Sequence, residues 1–352
     1  MPLVDYTRTK RPVFDVDLDA DPYDRWQEVG RRNKAKLGRF LRDIEQSLAE
    51  AWLGKPSDGM RWLLGAGGRV VGKLTALIAR TFGEDYQAEI RGLAHASGLP
   101  EGKLFLANLT YDLSVGQEGF RGACSSFSTV VDRAPILVRN MDWDFPDSTG
   151  RYTVMTRFHK GRNSYINIAP LGCVGVLSAM RPGAWAVTLN QAPANGRPQL
   201  TQWPAMHRIR KACDTSLTFP SLVRRIGEYQ TMTAFFAHAI GTTPAEQVIV
   251  ESYADSFHRR RAAPGRPLIQ TNHYISSFGH HLNPAEEADE NGEYWDTYPR
   301  YAALTKRLRA ERPQSLAAGL KAICRSPVTH SSTMNQMALC PATSEAIVRV
   351  RT

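Results

Sequence analysis

The sequence predicts an α+β fold in which helices come first and antiparallel sheet follows. Three observations predict it. Before residue 120 the apolar residues recur at spacings of three and four, without two-residue alternation. From Cys124 onward, short runs rich in β-branched and aromatic residues succeed one another, divided by Pro, Gly, Asn and Asp turns. After Gln191 helical and strand patterns mix. With 352 residues, 42% of them hydrophobic, the chain can bury the core of one large domain or two ordinary ones.

The first helix is read from Pro22, where Trp26, Val29, Leu37, Phe40, Leu41, Ile44, Leu48 and Trp52 form one apolar stripe that ends before Pro56. GMRWLLGAGGRVVGKLTALIARTF predicts another helix. EDYQAEIRGLAHASGLPEGKLFLANLTYDLS predicts two more, broken at Gly98-Leu99-Pro100. SSFSTVV, PILVRNMDW, YTVMTRFHK, SYINIAP, CVGVLSAM and AWAVTLN then read as a meander of strands, with Asp-Arg-Ala-Pro as its first turn. Helices follow around Trp203 to Lys211 and Ser221 to Tyr229, strands at EQVIVESYAD and PLIQTN, and a helix at Tyr301 to Leu308. There is no internal repeat and no low-complexity segment.

Lys and Arg outnumber Asp and Glu by 44 to 34, a net charge of +10 that permits anionic partners without choosing among them. The opening MPLVDYTRTKRPVF lacks the apolar core of a secretory leader, which predicts a cytoplasmic protein. The five cysteines are scattered with no C-x-x-C pair, which argues against a disulfide framework and a zinc site.

Three patterns compete for a function. Gly67 to Leu74 resembles a phosphate-binding loop but ends in Leu where Ser or Thr must hold magnesium, and it follows a helical rather than a strand pattern. On a helical wheel Arg61, Arg69, Lys73 and Arg80 share a face opposite Leu63, Val70, Leu74, Leu77 and Ile78. Trp62 to Arg80 is thus a cationic amphipathic helix, resting either on a lipid surface or on the protein core. His258 to Arg266, HRRRAAPGR, leaves nucleic-acid binding as a rival function; no nucleic-acid-binding module accompanies it, and the expectation is no nucleic acid. His280-His281 has no partner at zinc spacing, so neither metal nor organic cofactor is expected.

Cys124 opens the first strand, and a cysteine there is ordinarily a small buried hydrophobe. As a nucleophile it needs a base or nearby positive charge. The base is either a histidine, such as His273, or its own α-amino group after a cut between Ala123 and Cys124. An α-amine titrating near 8 suits a thiol titrating at about 8.5.

The run CSSFSTVVDRAPILVRNMDW resembles the C-T-S-[IV]-[IV]…R-N-x-D-[WFY] signature of the acid ceramidase and N-acylethanolamine-hydrolysing acid amidase family, cysteine N-terminal nucleophile hydrolases related to the choloylglycine hydrolases. VDLDADPYDRW, EIRGLAHASGLPEGKLFLANLTYDLS, GCVGVLSAMRPGAWAVTLNQ, FFAHAI, QVIVES, IQTNHY and DTYPRYAAL follow in that family's order over nearly the whole chain. The resemblance implies an αββα sandwich and self-cleavage into a helical piece, residues 1–123, and a catalytic piece, residues 124–352. It implies Cys124 as nucleophile and base, Asp142 holding its α-ammonium, and Arg139 favouring thiolate and oxyanion. Asn272 is the implied oxyanion donor, Asn190 lines the pocket, and Arg300 is a second site arginine. The implied reaction is hydrolysis of an N-acyl amide with a hydrophobic acyl chain (ceramide, N-acylethanolamine or N-acyl amino acid type) through a thioester, with acyl transfer to an amine as its variant. Partners are then a small-molecule acyl amide, a peripheral membrane contact through Trp62 to Arg80, and the other piece in a non-covalent heterodimer, since residues 1–123 hold no cysteine.

Three departures stand out. One residue fewer separates Cys124 from Arg139, which demands a tighter turn. Val138 replaces a glycine, and Gln191 follows Asn190 where lysosomal members carry Glu. Residues i and i+3 of a strand face opposite ways, so Arg139 and Asp142 can share a site only if the strand ends or bends near Asn140.

Overall fold

The computed structural model describes residues 4–5, 13–53, 79–114, 122–143, 147–161, 163–193, 199–253, 255–284 and 296–350. The cationic helix at Trp62 to Arg80 and the loop-like Gly67 to Leu74 fall almost wholly outside them. Among the described residues are two sheets faced by helices.

In chain order the strands are β1 (Val4–Asp5), β2 (Val13–Asp17), β3 (Gly122–Val131), β4 (Ala134–Trp143), β5 (Thr153–Lys160), β6 (Asn163–Pro170), β7 (Ser178–Arg181) and β8 (Trp185–Gln191), then β9 (Phe235–Ile240), β10 (Gln247–Tyr253), β11 (Ser256–Arg261), β12 (Leu268–Gln270), β13 (Thr333–Cys340) and β14 (Glu345–Val350). The helices are α1 (Gln27–Leu53), α2 (Glu84–Ser97), α3 (Glu101–Ser114), α4 (Ala205–Thr215), α5 (Phe219–Ile226), α6 (Thr297–Ala310) and α7 (Leu316–Ile323). One sheet has the order β1-β14-β13-β4-β3-β12 and the other β11-β10-β9-β8-β7-β6-β5-β2. Ladders are antiparallel except β2 on β5.

Three of the buried apolar clusters are seams between the layers. Leu137, Met155, Ile168, Met180, Ile240 and Met337 fill the space between the sheets. Leu37, Ile90, Leu93, Phe105, Val187 and Ile209 join α1 to α5 to the outer face of the larger sheet. Phe127, Ile136, Val138, Leu304, Leu308 and Leu320 join α6 and α7 to the outer face of the smaller. The layers are α, β, β, α, as the resemblance implied.

α1 follows the predicted stripe, with Val29, Leu37, Phe40 and Leu41 buried behind Trp26, which precedes its first turn. Gly98 ends α2 in the left-handed region at φ 64°, bonding back to Ala94 and His95 carbonyls, so the break before α3 is a glycine cap. Within α2, a Cβ on Gly92 would lie 1.7 Å from the Tyr23 carbonyl oxygen, so the backbones touch there.

The structure corrects four expectations. Sheet begins well before residue 120: VFDVD is β2, an edge strand with only Val16 buried, too short and acidic to show alternation. CVGVLSAM is strand only from Ser178, because Asn108 instead binds the Val174 amide and the Gly172 carbonyl. The expected meander is divided, β3–β4 in one sheet and β5–β8 in the other. β13 and β14 complete the chain after the helix at Tyr301 to Leu308. The turn that had to be tight is a two-residue hairpin, with Asp132 at φ 46° and Arg133 at φ 65°.

Candidate active site

Cys124 lies on β3 beside the end of β12, whose last pairing is Gln270 with Ser126. Beyond it the chain leaves the sheet, and a side chain takes over from the ladder: Cys124 N donates to Asn272 Oδ1 at 2.9 Å. Asn272 is fixed in turn by Thr297, whose Oγ1 accepts its N–H at 2.8 Å, and by the Gln191 carbonyl, which accepts from Nδ2 at 2.9 Å. Arg300 reaches in from α6, donating to Cys124 O at 2.9 Å, Ser125 Oγ at 2.8 Å and Asn272 Oδ1 at 2.9 Å.

The sulfur is approached from the opposite face. Cys124, Ser126 and Ser128 alternate inward toward the second sheet, and Arg139, opposite Ser126 in the hairpin register, points the same way. Its Nη2 lies 3.2 Å from Cys124 Sγ and 2.5 Å from the Leu189 carbonyl oxygen, while Nη1 donates to Ser178 Oγ at 2.6 Å and the Leu177 carbonyl at 3.3 Å. Four acceptors hold one planar guanidinium, which a lysine ammonium could not match. The sulfur, nitrogen and carbonyl oxygen of one residue are thus each held by a different buried side chain.

Asp142 is placed elsewhere. β4 runs unbroken to Trp143, and the irregularity sits in the facing strand, between Thr333 and Asn335 of β13. The expected bend near Asn140 is therefore absent: Leu137, Arg139 and Met141 face the second sheet, while Val138, Asn140 and Asp142 face the helical side. In register Asp142 stands opposite Ala123, one residue before Cys124. Its carboxylate accepts from Thr333 Oγ1 at 2.5 Å and lies 3.4 Å from His330 Nε2. In the uncut chain it thus flanks the Ala123–Cys124 peptide.

Two histidines bordering this site are committed to other groups. His273 Nδ1 lies 2.9 Å from Thr297 Oγ1 and 3.1 Å from Thr271 Oγ1. Burial, and then Arg300, push its pKa down to about 3. His238, which sequence reasoning missed, lies between Ser126 and Ser128 with each ring nitrogen 3.0 Å from a hydroxyl. Its signal was weak: one polar residue at an inward position of an otherwise apolar strand, FFAHAI. Asn190 Nδ2 donates to Ser126 Oγ at 3.1 Å and to the Gln270 carbonyl at 3.4 Å. From the first 123 residues Tyr111 donates its hydroxyl to Asn190 O at 3.2 Å.

That helical segment is tied in by buried charge. Glu89 of α2 is fully buried and accepts from Arg25 at 2.9 Å, from Trp26 Nε1 at 2.7 Å and from both Nη atoms of Arg210 at 3.1 and 3.2 Å. Arg210 also pairs with Asp214, which accepts the hydroxyls of Tyr86 and Tyr165. Asp112 of α3 accepts the Ala205 amide at 3.0 Å and Thr233 Oγ1 at 2.7 Å, and burial raises its pKa to about 7. No cluster of three metal-ligating side chains occurs among the described residues.

Comparison with known proteins points the same way. Residues 9–69 match the family model described as the beta subunit of N-acylethanolamine-hydrolyzing acid amidase. The chain is 25% identical over 181 residues to the N-acylethanolamine-hydrolyzing acid amidase of Caenorhabditis elegans, covering 50% of this chain and 47% of that one. It is 27% identical over 195 residues to the acid ceramidase of Rattus norvegicus, covering 51% and 45%. Its matches thus span about half the length of these curated relatives. The solved structure of the Caenorhabditis elegans amidase ortholog superposes with a TM-score of 0.52 at 16% identity, over 62% of this chain and 93% of that one, a likeness of fold.

Proposed function

We propose, from the premise that this chain is a relative of the N-acylethanolamine-hydrolyzing acid amidases and acid ceramidases, that it is a cysteine amidase. It cuts itself before Cys124 and then hydrolyses N-acyl amides with a hydrophobic acyl chain. The observation that carries this reading is the three-way hold on Cys124: Arg139 at the sulfur, Asn272 at the nitrogen and Arg300 at the carbonyl.

In the uncut chain the Cys124 nitrogen is a peptide N–H and cannot act as a base. Cleavage leaves it a primary amine, still facing Asn272 Oδ1, one atom chain away from the sulfur. The cations of Arg139 and Arg300 favour its neutral form, which takes the thiol proton. The thiolate adds to the acyl carbonyl, the α-ammonium returns its proton to the leaving nitrogen as the tetrahedral oxyanion collapses to a thioester and free amine, and water, giving a proton to the same α-amine, hydrolyses the thioester. Asn272 Oδ1 is turned to the amine while its Nδ2 is bonded to Gln191. The geometry therefore favours Asn272 orienting the base, with oxyanion stabilisation falling first to the guanidinium of Arg139.

The test is turnover of a series of N-acyl amides by the wild type and Cys124→Ala, with intact-mass detection of an acyl adduct. Wild-type hydrolysis with an adduct on the fragment that begins at Cys124, and none for Cys124→Ala, is expected. Equal hydrolysis by both proteins overturns the assignment. Products trapped on an added amine would identify the acyl-transfer variant.

A further inference from the structure

One buried histidine has no part in this chemistry, yet it stands behind the nucleophile. His238 lies inside β9, on the face of the larger sheet that meets β3, and is fully buried. Its ring nitrogens contact Ser126 and Ser128, residues that share an inward face with Cys124. Ser126 Oγ also accepts the Asn190 amide N–H.

Counting hydrogens gives this chain a direction. Ser126 Oγ accepts from Asn190 and keeps its one proton to give to His238 Nδ1. In that tautomer, the one that runs the line in a single direction, the imidazole carries its hydrogen on Nε2 and gives it to Ser128. The arrangement requires a neutral ring, and burial followed by the charge of Arg260 pushes the His238 pKa well below its usual value. Asn190, Ser126, His238 and Ser128 form one ordered line of donors and acceptors. It is not a general saturation of the polar interior: Thr188, directly opposite His238 in the β8–β9 register, has a buried hydroxyl without a hydrogen-bond partner.

The line starts at the residue that matters to Cys124. The carbonyl before Asn190, that of Leu189, accepts from Arg139 Nη2 at 2.5 Å, and the carbonyl after it, that of Gln191, accepts from Asn272 Nδ2 at 2.9 Å. Arg139 and Asn272 in turn contact the sulfur and nitrogen of Cys124. We infer that Ser126 and His238 are positioning residues, locking Asn190 and with it the Leu189–Gln191 backbone at the geometry that Arg139 and Asn272 need. The inference rests on the proposed amidase function.

The experiment measures kcat and KM for cleaved wild type, Ser126→Ala, His238→Leu, His238→Gln and Asn190→Ala, and for each of the first three substitutions combined with Asn190→Ala. Ser126→Ala and His238→Leu are expected to lower kcat by roughly tenfold or more, as small misplacements in a site do, with KM changed less than about twofold. His238→Gln, which keeps a donor and an acceptor, recovers most of the loss. In the Asn190→Ala background the Ser126 and His238 changes have no further effect on kcat. Losses that multiply in that background, or unchanged kcat for Ser126→Ala, overturn the inference and leave the function standing. Should His238→Leu fail to fold, the Ser126→Ala cycle carries the same test. If the wild type turns over no acyl amide, function and inference fall together.

Discussion

Replacing Glu89 with Gln tests the buried charge that binds the first 123 residues to the rest. Glu89 accepts four hydrogen bonds, two of them from Arg210 and one each from Arg25 and Trp26, and is fully enclosed. Glutamine presents one oxygen in place of two and turns an NH2 toward existing donors, so Arg210 keeps Asp214 as its remaining carboxylate partner. Removing one member of a buried pair costs about 3–5 kcal/mol, because the other charge stays enclosed without its counterion. Retained Asp214 and one amide acceptor place Glu89→Gln near the lower end, about 3 kcal/mol. The measurement is denaturant unfolding of uncut chains, both carrying Cys124→Ala, so that one covalent polypeptide unfolds in each. With Arg210→Met added, the cost should be less than the sum of the two single substitutions, since the pair they share is already broken. A Glu89→Gln cost under about 1 kcal/mol would refute the view that this ion cluster holds the layers together.

Three further outcomes follow from named contacts. Gly92→Ala, whose Cβ would lie 1.7 Å from the Tyr23 carbonyl oxygen, should lower stability by more than about 2 kcal/mol, read by thermal unfolding. Asp112 has its pKa raised to about 7 by burial, so the protonated form is favoured by folding. Its stabilising share is complete below the unfolded value near 3.8 and is lost as pH rises through about 7. Asp112→Asn, compared with wild type by denaturation at pH 5 and pH 8, should therefore gain relative stability at the higher pH by roughly 2 kcal/mol. Arg139→Lys keeps the charge but cannot serve Cys124, Ser178, Leu177 and Leu189 together, and kcat/KM should fall about a hundredfold or more in the amide assay.

The helices were legible where one face repeats at helical spacing, as from Trp26 to Ile44, and where glycine and proline punctuate, as at Gly98 and Pro100. The hairpin of β3 and β4 was legible from β-branched runs around Asp132-Arg133. Division of the strands between two sheets was not, because alternation says which residues share a face and not which sheet receives it. β2 escaped because its outward residues are acidic and pair with Arg157 and His159 of the neighbouring strand, leaving one buried position. Within the site, motif likeness singled out Cys124, Arg139, Asn272 and Arg300, and these four meet. Asp142 stands opposite Ala123 on the helical side of β4, while its neighbour in the motif, Arg139, faces the sulfur. His238, Tyr111 and Glu89 reach the site or its supports from distant segments; His238 is marked only as one polar residue in an apolar strand, and no local pattern marks the other two.

The proposed chemistry requires the Cys124 nitrogen to become a free amine. N-terminal sequencing of the larger fragment from purified protein, coupled to its specific activity as cleavage proceeds, tests this most directly. A terminus reading Cys-Ser-Ser, with turnover rising in proportion to its abundance, is the predicted result. Full turnover by a chain still joined at Ala123–Cys124, or a fragment beginning elsewhere, would contradict it.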